Sequence, residues 1–529
     1  MAYYRNLREY LATLEGEGKL IRISAPINKD TELHPMVRLQ FRGLPEEERR
    51  AFFFENVRDS KGRQFSIPVA VGCVAASRSI YAIGMQCSPE EISRKWITAQ
   101  ANPIPPSLVP HGPVQENVFY REEKGEGLGL LPVPISTPGF DNAPYITASN
   151  WVTKDPETGI RNVGTYRGQI KAPWRIGCFP ETALQHVRAH WLKCKERGIP
   201  LAAALVVGVT PNISFASVAK IPYGVDELAV AGGIAGEPIE LVQCKTIDLQ
   251  VPAHAEIVIE GEIPTDELEY DAPFGEFTGY MGNKEMTLFM NVKCITCRKD
   301  PVYESFISQM PPSESSKIRQ IAWENVILKL LKVDKGLNVL QVALHESSGS
   351  RGYCVISMKK DKSDDSWSAL KAVEENVPLG KVVIIVDDDV DPYDPDAVNW
   401  ALSFRMQPHR DMRIGKAEPM PLDHSLASPD ERTNRDPSFS GELKASVLLI
   451  DATRKWSYPP ISLPAKPYME KALTLWRQLG LPKLTTLHKP WFGYSLGYWD
   501  EELEKESELA VQGEYYLTGE KFAAQRRKI

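Results

Sequence analysis

The sequence predicts a soluble protein of several domains and of the α+β class. At 529 residues the chain is too long for one hydrophobic core, because domains average about 150 residues. From about residue 115 to 310, short apolar runs separated by Gly and Pro predict the strands of an all-β or barrel-like unit. Beyond residue 332, apolar runs alternate with helical stretches, which is typical of an α/β layer.

The first region mixes helical and strand patterns and ends in a proline-dense stretch. It opens with an amphipathic helix in which Leu7, Leu11 and Leu14 recur at helical spacing. The stretch from Pro103 to Pro113 marks its end. The predicted units are an N-terminal α/β region (1–110), a central β unit (111–312), a linking helix (313–332), a C-terminal α/β domain (333–455) and a C-terminal tail (456–529).

The linking helix has the clearest local signals in the chain. Ser313 is a suitable N-cap and Glu314 lies in the first turn, where a carboxylate is favourable. Ile318, Ile321 and Leu330 follow at helical spacing.

The C-terminal tail is rich in aromatic residues, which favour burial. Its tryptophans are Trp456, Trp476, Trp491 and Trp499. We expect the tail to pack on a partner subunit.

Charge and composition exclude several classes of protein. A net charge of −7 argues against general binding to nucleic acid or to an anionic membrane. The N-terminus lacks the apolar segment of a signal peptide, and no run reaches the ~18 apolar residues of a membrane span, so we expect a cytoplasmic protein. The eight cysteines are scattered, and the pair Cys294 and Cys297 lies in a strand-like run, which predicts structural thiols.

Two carboxylates, Asp271 and Glu276, flank a Pro and a Gly in the segment DAPFGEFTGY. Pro273 and Gly275 disfavour a helix, and a turn can bring both carboxylates to one cavity. Repulsion and burial would then raise one pKa and leave a proton donor near neutral pH. The spacing of the two carboxylates is equally compatible with an acidic turn that is exposed to solvent.

The segment from Asn162 to Arg167 reads as a strand. Strict alternation would point Asn162 and Arg167 to opposite faces unless a bulge intervenes. Arg167 could bind a substrate carboxylate, hold a catalytic carboxylate in place, or form a surface ion pair.

His186, Glu227 and Asn162 together form a mixed nitrogen and oxygen donor set, which suits a divalent ion such as Mn²⁺. His186 and His190 could instead be a zinc pair on a helix, although Val187 stands where HExxH has glutamate. A metal hydrolase that uses His186 and Glu227 without a flavin is therefore an alternative hypothesis.

The run Asp387 to Asp389 after a predicted strand could bind a cation, or could end the strand and start a turn.

Taken in order along the chain, these segments resemble the UbiD-type decarboxylases, which depend on prenylated FMN (prFMN). The resemblance rests on five segments between about 160 and 410: NVGTYR, IPYGVDELAVAGGIAGEPIELV, EIVIEGEI, DAPFGEFTGY and VDDDVDPYDPDAVNWALSFRMQP. It implies an N-terminal α/β region, a central split β-barrel of flavin-reductase type, a linking helix and a C-terminal α/β domain used in oligomerisation. A homodimer or higher homo-oligomer is expected.

The resemblance also implies roles for individual residues. Arg167, Asp271 and Glu276 match the catalytic network, with Glu276 as proton donor, although many members have Glu where this chain has Asp271. Ser217 falls near carbonyls that hold K⁺ in some members. The divalent ion, usually Mn²⁺, would be bound by Asn162, His186 and Glu227 and would anchor the cofactor phosphate. The cofactor would contact Asn162, Val163, Gly164, Thr165, Tyr166, Arg167, Gln185, His186 and Glu227.

The implied reaction is reversible, non-oxidative decarboxylation of an aromatic, heteroaromatic or α,β-unsaturated acid through a covalent prFMN adduct. A separate prenyltransferase would supply the cofactor. The pocket walls are expected near Met281, Gln309 to Pro312 and Phe404 to Pro408. An alternative is a cofactor-carrying subunit of a larger carboxylase complex that is inactive alone.

Overall fold

The computed structural model describes residues 2–180, 185–219, 221–271, 273–377, 380–420, 422–428, 445–484 and 497–528. Trp491 lies outside these residues. Within them, every helix is too short or too polar to cross a membrane.

The N-terminal region is an α/β layer whose sheet is completed by a later part of the chain. Asn6 caps the first helix by accepting a hydrogen bond from the Glu9 amide (3.1 Å), and Leu7, Leu11 and Leu14 of that helix are buried as predicted. The elements of the region are α1 (Leu7–Gly16), β1 (Leu20–Ile23), β2 (Ile27–Asn28), α2 (Leu33–Gly43), β3 (Ala51–Phe54), β4 (Val57–Arg58), β5 (Gln64–Phe65), β6 (Val69–Val71), α3 (Arg78–Met85) and α4 (Ile92–Ala101).

The central unit is mainly antiparallel sheet, but it also contains three α-helices among the described residues, so the all-β expectation is too narrow. Its elements are β7 (Ser107–Leu108), β8 (Asn117–Tyr120), β9 (Tyr145–Ile146), β10 (Asn150–Lys154), β11 (Arg161–Thr165), β12 (Gly168–Ala172), β13 (Arg175–Cys178), α5 (His186–Glu196), β14 (Leu201–Val207), α6 (Pro211–Val218), α7 (Glu227–Ala235), β15 (Glu240–Gln243), β16 (Gln250–Pro252), β17 (Ile257–Ile263), β18 (Glu269–Asp271), β19 (Glu285–Cys297) and β20 (Tyr303–Ser305).

The ten-stranded central sheet follows the order β11-β10-β14-β17-β19-β13-β12-β9, with β18 and β8 also paired to β19. Only Tyr166 and Arg167 connect β11, at one end of this path, to β12, near the other. Three Cα steps span at most about 11 Å, so the sheet must curl until its two ends almost meet. Hydrogen bonds between the described strands do not close it into a barrel, and the split-barrel detail stays a prediction.

Strand β20 crosses back into the N-terminal region, where the sheet order is β1-β3-β6-β20. It is followed by the predicted linking helix, α8 (Glu314–Lys329), which Ser313 caps through a capping box with Ser316. The helix continues as a π-turn over Leu330–Asp334.

Two buried carboxyl groups lie where α8 meets the N-terminal sheet. Glu314 accepts hydrogen bonds from the amides of Gly72 and Val74 (2.9 Å each), and Glu304 accepts one from the Cys73 thiol (3.2 Å). Burial raises the pKa of Glu304 to about 8 and the pKa of Glu314 to about 7.

The C-terminal domain is a mixed five-stranded sheet in the order β21-β22-β23-β25-β24, with helices packed against it. No tail helix in the described part of the chain has a buried side chain, and packing of the tail on a partner stays a prediction. The elements are β21 (Val339–Leu344), β22 (Tyr353–Met358), α9 (Asp365–Asn376), β23 (Val382–Asp387), α10 (Pro395–Arg405), α11 (Pro408–Asp411), β24 (Met412–Ala417) and β25 (Ala445–Ala452), then α12 (Lys466–Gln478), α13 (Glu501–Gln512) and α14 (Tyr515–Ala524) in the tail.

The acidic run from Asp387 to Asp389, which begins at the last residue of β23, is part of a buried ion-pair cluster. Arg405 donates to Asp387 (2.8 Å) and to both carboxylate oxygens of Asp389 (2.7 and 2.6 Å). Arg454 Nε lies 3.4 Å from Asp387 Oδ2 as well. Two guanidinium groups therefore compensate Asp387 and Asp389, which favours the structural alternative for the run over a cation site.

We expect the two buried glutamates to make stability depend on pH. Their folded-state pKa values lie above the ordinary value of 4.5, so their contribution to stability is fully present below pH 4.5 and is lost as the pH rises through about 7 to 8. In the wild type, the free energy of unfolding should be lower at pH 8.5 than at pH 5.5. In the Glu304→Gln variant this difference should be smaller, by a few kcal/mol at most. Urea titrations at pH 5.5 and at pH 8.5 measure the free energy of unfolding of each protein. The exposed Glu122→Gln is the control, and an unchanged fall in Glu304→Gln would contradict the assignment.

Candidate active site

A cavity of about 240 Å³ lies where the central sheet, α8 and the C-terminal domain meet. It is lined by the sequence-predicted residues Asn162, Val163, Gly164, Thr165, Tyr166, Arg167, Gln185, His186, Ser217, Glu227 and Glu276. Asp271 lies behind Arg167 and is fully buried.

Arg167 contacts both predicted carboxylates. Its Nε donates to Asp271 Oδ2 at 2.9 Å, and its Nη1 forms an ion pair with Glu276 Oε1. The guanidinium also lies 3.7 Å from the centre of the Phe179 ring. Burial raises the pKa of Asp271, and the charge of Arg167 opposes this rise.

The connection between β11 and β12 fixes Arg167 in this position. The Tyr166 carbonyl accepts hydrogen bonds from Trp151 Nε1 (2.7 Å) and from the Ser149 hydroxyl, both of which come from β10 and the residue before it. Asn162 and Arg167 reach the same cavity without the bulge that strict alternation would need, because β11 ends at Thr165 and Arg167 lies outside the pleat.

Glu276 is held in a tight turn with little exposure to solvent. Its amide donates to the Tyr280 carbonyl (2.8 Å), and the Gly282 amide donates to the Phe274 carbonyl (2.8 Å). Gly275 has no room for a side chain, since a Cβ there would lie 2.5 Å from Gln309 Cγ. Glu276 is only 6% exposed, so the solvated-turn alternative does not apply.

Asn162, His186 and Glu227 converge from β11 and from the first residues of α5 and α7. Asn162 Oδ1 lies 2.9 Å from His186 Nδ1, and His186 Nδ1 lies 3.6 Å from Glu227 Oε1. The Val163 amide donates to Glu227 Oε2 (2.8 Å). Burial raises the pKa of Glu227, and its hydrogen bonds to His186 and Val163 oppose the rise.

The donor chemistry of this cluster fits a divalent ion. Asn162 Oδ1 and Glu227 Oε1 both lie within 3.6 Å of His186 Nδ1, and oxygen and imidazole nitrogen atoms of these kinds are suitable ligands for a divalent ion. No group of three His, Cys, Asp or Glu side chains forms in the described part of the chain, so an ion bound here would also need the Asn162 amide. His190 instead contacts Thr153 Oγ1 (3.0 Å) and does not line the cavity, which disfavours the zinc pair.

Sequence reasoning missed the wall formed by α8 and the C-terminal domain. Arg319 and Trp323 of α8 and Arg351 from the loop before β22 line the cavity there. The spacing of Ser315, Arg319 and Trp323 is a signal for one helix face, but a sequence does not reveal what that face meets. Of the regions expected to form the walls, Ser308 beside Gln309 lines the cavity, whereas Met281, Gln309 to Pro312 and Phe404 to Pro408 do not.

Three family models match the chain in order. They are the N-terminal (11–100), Rift-related (107–311) and C-terminal (320–452) domains of 3-octaprenyl-4-hydroxybenzoate carboxy-lyase, UbiD. The chain belongs to the UbiD family. Members of this family are carboxy-lyases, and the protein is assigned to that class of enzyme.

Similar proteins cover almost the whole chain. An uncharacterized protein of Aquifex aeolicus is 30% identical over 90% of this chain and 99% of its own length. The UbiD-class enzyme HmfF of Pelotomaculum thermopropionicum, solved with prFMN, is 31% identical, with a TM-score of 0.73 and coverage of 87% of this chain and 97% of its own. The vanillic acid decarboxylase of Sedimentibacter hydroxybenzoicus is 26% identical, with a TM-score of 0.76 and coverage of 90% and 100%.

Proposed function

We propose that the protein decarboxylates an aromatic, heteroaromatic or α,β-unsaturated carboxylic acid reversibly and without oxidation, with Glu276 as the proton donor. The observation that carries this proposal is the contact of one buried arginine, Arg167, with two carboxylates at the wall of the cavity. Loss of CO₂ leaves an electron pair on carbon, and a positioned acid must supply a proton there.

The chain's own residues can prepare this proton. Two carboxylates beside one guanidinium leave one negative charge uncompensated, and burial favours a proton on the pair. Asp271 holds one edge of Arg167, so the other edge is directed at Glu276. The side chain of Asp271, although one methylene shorter than glutamate, still reaches Arg167.

We infer that the cofactor is prFMN, as in the HmfF structure. When bound, it would supply the electron sink that decarboxylation at an sp² carbon needs. Asn162, His186 and Glu227 would hold Mn²⁺ or a similar ion, which suits their mixed nitrogen and oxygen donors. Gln185 and the backbone from Val163 to Tyr166 would bind the cofactor beside it.

A potassium ion near Ser217 and a separate prenyltransferase as the source of the cofactor remain part of the proposal. Homo-oligomerisation is also proposed, and the exposed apolar side chains of the tail, such as Leu475, Tyr515 and Phe522, support it.

We expect Glu276→Gln to bind the cofactor normally and to lose turnover by about 100-fold or more, since general acid catalysis contributes 10² to 10⁴. The protein is produced together with a prenyltransferase. Flavin absorbance then measures cofactor binding, and CO₂ release measures turnover. Glu122→Gln is the control. Unimpaired turnover in Glu276→Gln would remove Glu276 from the donor role. A wild-type protein that binds flavin but releases no CO₂ from any acid alone would favour the inactive-subunit alternative.

We expect Asn162→Ala to lower the content of both divalent metal and flavin at least tenfold. Asn162 supplies an amide oxygen to the proposed ion, and the ion in turn anchors the cofactor phosphate. Metal analysis and the visible spectrum of the purified protein measure these contents. Asn117→Ala, on β8 and away from the cavity, is the control. Normal metal with lost flavin would contradict the proposed anchoring, and a wild-type protein with metal but no flavin would favour a hydrolase.

A further inference from the structure

A row of three polar side chains runs from the N-terminal region to the cavity. His34 Nε2, on α2, lies 3.0 Å from Ser305 Oγ at the end of β20, and Ser305 Oγ lies 3.0 Å from Thr147 Oγ1. His34 and Ser305 are fully buried, and Thr147, which directly follows β9, lines the cavity. The proposed chemistry uses none of these three side chains, although their row ends at the cavity.

His34 is neutral at physiological pH, because burial, helped by the charge of Arg38, lowers its pKa to about 3. A neutral imidazole has one N–H and one acceptor nitrogen. Nδ1, the ring nitrogen nearer to the backbone, has no hydrogen-bond partner among the described residues. It lies in the first turn of α2, where the positive end of the helix dipole favours a lone pair over an N–H. The proton therefore lies on Nε2, which donates it to Ser305 Oγ.

The proton on His34 sets the direction of every hydrogen bond in the row. Because Ser305 Oγ accepts from His34, its own proton is donated to Thr147 Oγ1. Thr147 Oγ1 also accepts a hydrogen bond from the Phe306 amide (2.8 Å). A hydroxyl has two lone pairs and one proton, so both lone pairs of Thr147 are then occupied and its proton is left for a group in the cavity.

Thr147 lies next to the segment that is proposed to bind the cofactor. In the pairing of β9 with β12, Ile146 lies opposite Gly168. Continuing this register places Thr147 beside Arg167, at the end of the segment from Val163 to Tyr166. A flavin ring carries carbonyl oxygens and nitrogen acceptors along its edge, and a fixed hydroxyl donor is suited to such atoms.

We propose that Thr147 donates a hydrogen bond to the ring of the bound flavin, and that His34 and Ser305 are positioning residues that keep Thr147 a donor. This inference rests on the flavin cofactor of the proposed function. A donor at this place stabilises negative charge on the ring, which is the charge that an electron sink accumulates. The N-terminal region would thereby influence the cofactor without touching it.

The test measures FMN binding to the full-length chain in the presence of Mn²⁺. Fluorescence quenching gives the Kd, and Raman spectroscopy follows the stretching bands of the bound ring. Thr147→Val should raise the Kd for FMN about 3- to 10-fold and shift these bands, because one hydrogen bond to the ring is lost. Thr147→Ser keeps the hydroxyl and should stay near wild type. His111→Leu, at an exposed histidine, is the control.

A double-mutant cycle separates positioning from a general effect on the fold. His34→Leu should raise the Kd for FMN about 2- to 5-fold when Thr147 is present. It should add nothing in Thr147→Val, since it acts only through that hydroxyl. His34→Gln should restore the affinity, because its amide can donate to Ser305. If His34→Leu does not fold, Ser305→Ala takes its place in the cycle.

Two results would overturn the inference and leave the proposed function intact. One is an unchanged Kd and an unchanged Raman spectrum in folded Thr147→Val. The other is additive effects of His34→Leu and Thr147→Val on the Kd, which would make the role of His34 purely structural. A wild-type chain that binds neither FMN nor prFMN would instead contradict the proposed cofactor, and the inference would fall with it.

Discussion

The two-residue connection between β11 and β12 is the constraint on which the site depends. Tyr166 and Arg167 must join strands from opposite ends of a ten-stranded path, so the sheet curls around them and encloses their side chains. The carbonyl of Tyr166 is fixed by Trp151 and Ser149, which leaves Arg167 little freedom. A buried arginine requires anionic partners. Asp271, at the end of β18, and Glu276, in the turn that follows, are those partners.

The N-terminal region, the central unit and the C-terminal domain all contribute, directly or through contacts, to the structure of the cavity. Strand β20 completes the N-terminal sheet, and α8 begins a few residues later and presents one face to the cavity. From the N-terminal region, Arg38 donates to Gln309 Oε1 (2.7 Å) and to the Met310 carbonyl (2.7 Å). Gln309 packs on Gly275, so a helix outside the cavity supports the turn that holds the proton donor. Small movements between regions would therefore alter the alignment of Glu276.

Local signals made part of this structure predictable. The Ser313 cap, the apolar face of α1 and the turn that carries Asp271 and Glu276 are each set by residues close in sequence. The candidate residues of the cavity were also recognised, because their order along the chain matches one family. The family resemblance carried that step, since each motif alone left a structural alternative open.

Long-range packing determined what sequence reasoning missed. Arg319 and Arg351 are far apart in sequence and meet at Phe277 only because two domains pack together. The helices α6 and α7 are apolar and short, so in sequence they resemble buried strands. No bulge is needed at Arg167, because alternation holds only inside a strand and β11 ends two residues earlier.

Hydrogen exchange at the product carbon tests most directly whether Arg167, held by Asp271, aligns Glu276. The holoenzyme is incubated with the decarboxylated product in D₂O, and NMR follows deuterium entering the position that had carried CO₂. The account predicts rapid exchange by the wild type and exchange slowed about 100-fold in Asp271→Asn with normal flavin content. Exchange at the wild-type rate in Asp271→Asn would contradict it.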